Sequence, residues 1–592
     1  MPSNNPETNM NPTYNATTNN TESVPASTKD SPPSTTPSNT ADKNPESGQS
    51  DHCCWVTNLC RCRFPQVTFL IGTAIYLALE FWPSTRFEGW LYSLGRVCTV
   101  FFTLFFIWIW ALFFSKIRKS RSIIAALMVV ALFFLGFDLE LDGNMLPKVR
   151  LKEKIQNLLG IGHDQELQRE RKKHNEIDKG SLDLLESLED WPEFRGRGRQ
   201  GIVHGINIST DWEKQPPRLV WKQLIGRGYS AFSVVNHILV TLEQRRFDGE
   251  DYECLVAYDA KTGLELRLHR WPGKFDEALG GPGPRSTPTI ANGKIYALGA
   301  KGHLVCLDSK TWKELWSHDL LENNQNLQWG MSGSPLVYQD MVIVAPGAQT
   351  PESAGQEIRA YDCLTGELRW QSGTAATAYS SPMIANLQGC DQLLLFDAEA
   401  IRSFNPKDGK EWWSFPWKTM NGINVAQPIL LGNNRLFIGA GYGMGGAILE
   451  IAGQIDSFQV NLVNKTAKTS MRCKFASPVF YQNHLYGLND GVMECVDAST
   501  GKSCWKDDRR PRKGQAFGHG QILLLDSGYL LVTSEYGELI LVKATPTEFQ
   551  ELGRIQAIDG TKSWNNPALV GSRIFIRNNN EMACFELNPE KD

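Results

Sequence analysis

Three groups of residues in this 592-residue chain carry side chains fit for chemistry. The first is a set of aspartates, Asp259, Asp308, Asp362 and Asp497, each inside a recurring phrase. A carboxylate in a cleft can act as a general base, and several together can hold a cation. The second is HCCWVTNLCRC (His52–Cys62), four thiols and an imidazole in a short space. Its C-C-x5-C-x-C pattern lacks the C-x2-C spacing of zinc sites, so free thiols in a reducing cytoplasm are the expected state. The third is Arg195, Arg197 and Arg199 in RGRGR, a run that could meet phosphate or lipid headgroups or simply be solvated. GYGMGG (Gly441–Gly446) is glycine-rich but lacks the lysine and the strand–helix setting of a phosphate loop.

The aspartates have a mechanical use that competes with chemistry. Their phrase reads small–x–Asp–x–x–Thr–Gly–x–x–x–Trp. The full copy holds Ala360, Asp362, Thr365, Gly366 and Trp370. CVDASTGKSCW supplies Asp497, Thr500, Gly501 and Trp505, and CLDSKTWKELW supplies Asp308 and Trp316. AYDAKTGLELR keeps Asp259, Thr262 and Gly263, and SFNPKDGKEWW keeps Gly409 and Trp413. Two further copies, at Leu541–Lys543 and Phe585–Glu586, retain only the strand. An Asp side chain can accept backbone N–H bonds two residues on, and Gly supplies the positive φ of a tight hairpin. The Trp is a large apolar wedge suited to the gap between neighbouring sheets. Cys306, Cys495 and Cys584 share the small position of the phrase and are expected to be buried.

What must position these residues is a ring of repeats. A second phrase precedes each copy: Pro, two or three apolar residues, a polar pair, then a β-rich run. It starts at Pro288, Pro335, Pro382, Pro428, Pro478 and Pro567, with Phe232 and Gln521 replacing the Pro in two copies. The eight anchors are spaced by about 48 residues, the size of a propeller blade. Each unit reads as four short strands. The last unit ends at CFELNPEKD without a fourth strand, whereas Pro217–Gly226, with Trp221, looks like a fourth strand without a blade. A strand lent from the N-terminal side would close the ring and protect its edges. The fold expected over 191–588 is therefore an all-β, eight-bladed propeller.

The preceding chain divides into three. Residues 1–63 are rich in Asn, Thr, Ser and Pro and read as a disordered cytoplasmic tail. Residues 64–141 hold apolar runs, read as three transmembrane helices at about 66–83, 92–115 and 122–140. Lys116, Arg118, Lys119 and Arg121 between the second and third runs should stay inside, as should Arg61 and Arg63. Three spans then place the propeller on the extracytoplasmic, periplasmic side of the inner membrane; a re-entrant third run would reverse this. Residues 142–190 read as a charged helical linker without a partner surface. The net charge of −4 gives no basic field for nucleic acid.

The repeated phrases resemble the tryptophan-docking motifs of the pyrroloquinoline quinone (PQQ) propeller superfamily, over about residues 191–588. WPEFRGRGRQGIV (Trp191–Val203) is similar to the segment that opens many PQQ-like propellers of the planctomycete type, with Arg197 where those usually have Pro. QWGMSGSPLV, YSSPMIA, NGINVAQP and ELILVKATPTEFQELGR extend the likeness. The superfamily contains quinoprotein alcohol dehydrogenases, which use PQQ and calcium, and non-catalytic propellers, including the outer-membrane assembly lipoprotein. The resemblance implies for an enzyme a calcium cage, an Asp base and, in many members, a disulfide between adjacent cysteines. The one adjacent pair here is Cys53–Cys54, outside the propeller. No Glu, Asn and Asp trio can be assigned to a cage. The expectation is a membrane-anchored, non-catalytic scaffold or assembly factor with envelope protein partners and no cofactor. The alternative is a tethered PQQ- and calcium-dependent dehydrogenase acting on alcohols or sugars. A sensor signalling through the spans has no kinase or DNA-binding motif to support it.

Overall fold

The computed structural model of the chain describes residues 64–78, 89–114, 119–141, 147–159, 162–173, 182, 184–322, 324–509, 514–560 and 562–587. All lie in one compact unit, Arg63–Asp592. The expected tail, with its cysteine cluster, falls outside the described residues.

The repeats fold into eight antiparallel sheets, an all-β eight-bladed propeller. Blade 1 covers 233–272, blade 2 289–319, blade 3 336–372 and blade 4 383–416. Blade 5 covers 429–465, blade 6 479–506 and blade 7 521–556. Blade 8 takes three strands from 568–586, and its fourth is Arg218–Leu224 from the N-terminal side. Trp221 pairs there with Cys584, so the last blade is completed by the lent strand that the sequence pointed to.

The register explains the small residue of the repeated phrase. Cys306 lies opposite Trp316, Ala360 opposite Trp370, Ser403 opposite Trp413, and Cys495 opposite Trp505. A larger side chain would occupy the volume the indole fills. In all eight blades the register slips at the step just after this position. A bulge there adds one residue to the outer strand and sharpens its twist, which re-aims the next side chains. Cys306, Cys495 and Cys584 are fully buried, as their positions led us to expect.

Before the ring come α1 (64–78), α2 (Gly89–Phe114) and α3 (Lys119–Gly136). They coincide with the three apolar runs. Among the described residues, which omit part of the α2 and α3 side chains, no helix is long and apolar enough to cross a membrane. The linker is not one solvated helix. The third helix ends at Gly136, short of the expected 140, and Phe137–Leu141 is a strand that forms a hairpin with Pro147–Leu151 of the linker, which α4 (Glu153–Leu158) and α5 (His163–Lys173) follow. Nor is α5 without a partner. His163 Nε2 lies 2.7 Å from the Ile225 carbonyl, and Arg171 donates to the Leu224 carbonyl at 2.7 Å. Gln168 donates to the Arg246 carbonyl. Leu167 is buried beneath them, and Leu182 and Leu184 join the core of blades 1 and 2. Leu167, Leu182 and Leu184 thus face the ring, while Leu158, Leu159, Leu185 and Leu188 stay exposed and charged side chains satisfy carbonyls at the seam. Burial pushes the His163 imidazole below its ordinary pKa.

Candidate functional site: the ring hub and its mouth

Trp191–Val203 runs through the hub and holds blades 1 to 7 together. Trp191 pairs with Val234 of blade 1, with N···O distances of 2.9 and 2.7 Å. The Pro192 carbonyl accepts from Ile290 of blade 2 at 2.9 Å. Arg199 donates to the carbonyls of Ser334 and Pro335, at the edge of blade 3, and of Pro382, beside blade 4. Gln200 donates to the Pro428 carbonyl at 3.2 Å and accepts from Leu430 of blade 5 at 2.8 Å. Arg195 donates to Pro478 of blade 6 at 3.3 Å. Ile202 and Val203 pair in parallel with Leu524 and Leu525 of blade 7.

Four of the recurring prolines therefore present their carbonyls to the hub, Pro335 and Pro382 to Arg199, Pro478 to Arg195 and Pro428 to Gln200. Arg195 and Arg199 are each 1% exposed, so neither expected role, solvated charge or phosphate contact, describes them; Arg197 alone is exposed. Burial lowers the Arg195 pKa to about 10, which leaves it charged at neutral pH. The glycines are required by space. A Cβ at Gly196, where φ is +75°, would lie 2.6 Å from the Trp191 ring. One at Gly201, where φ is +69°, would lie 2.5 Å from the Arg195 guanidinium.

Around the hub runs a chain of polar bonds that the sequence reading missed. The backbone N–H of Ala231 donates to Thr287 Oγ1, that of Thr287 to Ser334 Oγ, and that of Ser334 to Ser381 Oγ. Ser381 N–H donates to Gln427 Oε1, and Gln427 N–H to Ser477 Oγ. Each of these side-chain acceptors stands directly before an anchor proline, and each bond crosses from one blade to the next. The signal was present as a hydroxyl or amide residue at that place in six of the copies, the sixth being Asn566 before Pro567.

Above the hub, the loops between blades bring cations and aromatic rings together. Asp490 lies 2.6 Å from Lys474 Nζ and 3.4 Å from the Arg472 guanidinium, with all three buried. Burial alone would raise the Asp490 carboxyl; Lys474, His519 and Arg472 reverse this and hold it well below the carboxylate range. Phe475 packs on His519 and Trp564 with ring centroids 4.8 and 4.9 Å away, and Trp564 stacks on Tyr229 at 5.2 Å. Arg285 lies over Tyr229 at 5.6 Å, and Lys562 over Trp564 at 5.6 Å.

A calcium ion takes six to eight oxygen ligands. Asp490 already faces an ammonium and a guanidinium, so a divalent cation brought beside it would meet two like charges. Glu535, also buried, accepts the His519 backbone N–H at 3.0 Å, and buried Glu494 accepts that of Met471 at 2.8 Å. These residues do not fit the calcium cage of a quinone site. Cys53 and Cys54 lie outside the described residues.

The residues of the repeated phrase do not converge on this mouth. Each Asp caps its own blade's turn. Asp259 Oδ1 accepts from Lys261 and Thr262 N–H, Asp308 Oδ1 from Thr311, Asp362 Oδ1 from Leu364 and Thr365, and Asp497 Oδ1 from Ser499 and Thr500. The Thr365 N–H and the Arg369 guanidinium hold Asp362 down at about 2. Thr262, Thr365 and Thr500 each accept a backbone N–H two residues on. The indoles reach across to the following blade. Trp221 donates to the Ala260 carbonyl at 3.0 Å, Trp316 to Cys363 at 3.4 Å and Trp505 to Thr545 at 2.8 Å. A Cβ at Gly263, Gly366 or Gly409 would lie 2.7, 2.7 or 2.5 Å from the ring of Trp221, Trp316 or Trp370. Trp413 differs and donates to Gln392 of its own blade at 2.7 Å. Gly501 packs against the backbone of Lys465 instead of an indole.

The fold and these blade junctions define a PQQ-like repeat propeller. The family model described as outer membrane protein assembly factor BamB matches residues 216–383 and 251–472, so the repeat region is distantly similar to that family. The chain is 32% identical over 139 residues to a lanthanide-dependent methanol dehydrogenase of Methylacidiphilum fumariolicum, covering 22% of this chain and 20% of that protein. It is 21% identical over 297 residues to BamB of Moranella endobia, covering 48% of this chain and 67% of that protein. The chain thus spans only a fifth of that dehydrogenase. Among solved structures, quinohemoprotein alcohol dehydrogenase from Comamonas testosteroni aligns with a TM-score of 0.48 at 14% identity, over 68% of this chain and 81% of that one. BamB from Moraxella catarrhalis aligns with a TM-score of 0.40 at 13% identity, over 62% and 99%.

Proposed function

We propose that this chain is a membrane-anchored, non-catalytic propeller that presents its ring to protein partners of the cell envelope, as a scaffold or assembly factor. The observation that carries the reading is the hub. The chain's own Trp191–Val203 fills it, and the carboxylates of the mouth are bound to cations or backbone N–H groups. A surface built this way is rigid and offers shape and charge to a partner, with no free base beside it. The similarity to BamB, by name an assembly factor, agrees with this role.

The anchor is supported by the helices before the ring. Leu70, Phe101, Leu104, Leu132 and Leu135 turn outward, each 60–69% exposed. Water would oppose such a surface, and lipid would not. The α1–α2 crossing is made by small residues, since a Cβ at Gly72 would lie 2.1 Å from Thr103 Oγ1. Thr68, Thr99 and Thr103 return their hydroxyls to carbonyls one turn back. Both habits suit helices packed in lipid. With Lys116, Arg118, Lys119 and Arg121 inside, the propeller lies on the periplasmic side of the inner membrane.

The second reading, a quinone-dependent dehydrogenase, is favoured by the similarity to dehydrogenases. One reconstitution separates the two. PQQ and calcium are added to the purified full chain in lipid, and quinone absorbance and dye reduction with alcohols are followed. The scaffold reading expects neither stoichiometric quinone binding nor turnover. Saturable one-to-one binding with turnover would sink it. In-cell crosslinking from the mouth should recover envelope proteins, and alkaline extraction should leave the chain in the membrane fraction.

A further inference from the structure

The hairpin Phe137–Leu141/Pro147–Leu151 is a two-stranded sheet that joins no other strand among the described residues. Its register is fully alternating. Phe137 pairs with Leu151 and Leu139 with Val149 on one face, while Asp138 pairs with Arg150 and Glu140 with Lys148 on the other. Phe137, Leu139 and Val149 are 37%, 45% and 56% exposed. An isolated two-stranded hairpin is at best marginally stable in water, so a face like this requires cover.

The position of the hairpin says what covers it. Phe137 follows Gly136, the last residue of α3, without a connecting loop. The Phe137 ring stacks on Phe133 of α3 at 5.5 Å, so the apolar face of the hairpin continues the apolar flank of the helix. Lys152 N–H donates to the Gly136 carbonyl at 2.9 Å, which fastens the far strand to the helix end. On the other face Lys152 lies 3.9 Å from Asp138. Asp138 stands between Arg150, its partner across the hairpin, and Lys152, so charges of both signs meet on that face and apolar burial decides what covers the other.

We infer that this hairpin lies flat in the boundary between headgroups and acyl chains, its Phe137, Leu139, Val149 and Leu151 face toward the hydrocarbon. Amphipathic segments settle at that depth, with the apolar side roughly 5–10 Å into the boundary. The hairpin is then a foot that sets the angle at which the chain leaves the bilayer toward α4 and the ring. This rests on the membrane-anchor reading above.

The test uses the full chain in liposomes, with a nitroxide attached through a ketone-bearing unnatural residue so that native cysteines stay untouched. Labels go singly at positions 132, 138, 139, 149 and 150. Collision with oxygen is compared with collision with a water-soluble nickel chelate. The oxygen-to-nickel ratio should be highest at 132, several-fold lower at 139 and 149, and lowest at 138 and 150. If 132 is lipid-exposed but 139 and 149 match 138 and 150, the anchor stands and the foot is overturned. If 132 is itself open to the chelate, the anchor reading has failed and takes the foot with it. If 139 is shielded from both quenchers and its spectrum sharpens on dilution with unlabelled chain, a second copy covers the face, and the lipid proposal is overturned.

Discussion

Gly366 shows what one atom does in this ring. Its φ is +75°, and an added Cβ would meet the Trp316 ring of the preceding blade at 2.7 Å. Gly366→Ala therefore carries two costs, the left-handed backbone and an overpacked indole, together about 2–4 kcal/mol. Gly355, at φ +81°, has nothing within 4 Å of its Cβ position, so Gly355→Ala should lose only about 1–2 kcal/mol. Urea midpoints of the two variants measure the difference, and equal shifts would mean that the indole contact contributes nothing. A second residue, Glu357, makes stability depend on pH. It is fully buried, with Arg402 at 3.8 Å, and Arg402 also holds Asp397 at 2.7 Å and Glu411 at 3.2 Å. Burial, and then the Asp397 carboxylate, push Glu357 from 4.5 up to about 8. Between those values the folded state binds a proton that the unfolded state has lost, so this group makes stability fall as pH rises through the window. Glu357→Gln should flatten that slope, raising Tm relative to the parent chain at pH 8.5 more than at pH 5. An equal Tm change at both pH values would remove Glu357 as the source.

At the scale of the blade, one Trp that the repeat loses is replaced from elsewhere in the chain. Blade 7 has Gly553 there, opposite Leu541. Trp212 enters the space from outside the repeat, its Cβ 2.4 Å from where a Cβ on Gly553 would stand, and donates to Ser209 at 2.9 Å. Trp212→Ala should destabilise the propeller by about 3–5 kcal/mol, as for a buried Trp inside a core. Trp412→Ala, at a half-buried indole, should cost less; thermal melts of both variants check the order. The repeated phrase made blades and ring closure legible, because Asp, Gly and Trp act within a turn or across one junction. Trp212 was not legible, since its place depends on what a blade far along the chain lacks. The hub segment was not either. Arg199 bonds residues 135 to 183 positions away, and nothing local distinguishes such a buried arginine from a solvated one. At blade 2, Trp312 replaces the turn glycine at φ +60°, and the preceding blade has Arg267 in place of Trp. The two losses match each other, which a pattern read copy by copy does not reveal.

At the scale of the whole molecule, the ring's one covalent discontinuity is also where the linker docks. Arg218–Leu224 closes blade 8, and its far end is held by α5 through Arg171 to the Leu224 carbonyl and His163 to Ile225. Arg171 also lies 3.4 Å from Glu265 of blade 1, which Arg245 holds at 2.8 Å beside the fully buried Glu243. One guanidinium thus ties a blade 8 strand to a blade 1 carboxylate across the seam. Hydrogen bonds from charged groups contribute roughly 1.5–3 kcal/mol each, so the seam should open more readily without it. Arg171→Met keeps the aliphatic stem over Tyr258, where the guanidinium lies 5.0 Å from the ring, and removes the bonds. Amide exchange in 218–224 should then accelerate by about tenfold or more, which corresponds to roughly 1.4 kcal/mol of local opening. Exchange in the strands of blade 4, opposite the seam, should be unchanged. Uniform acceleration around the ring would mean that Arg171 stabilises the fold as a whole, and no change at 218–224 would mean that α5 rests on the seam without fastening it. The outcome decides whether a pull on the linker is transmitted to the ring at its closure, which is where a tethered propeller would feel its anchor first.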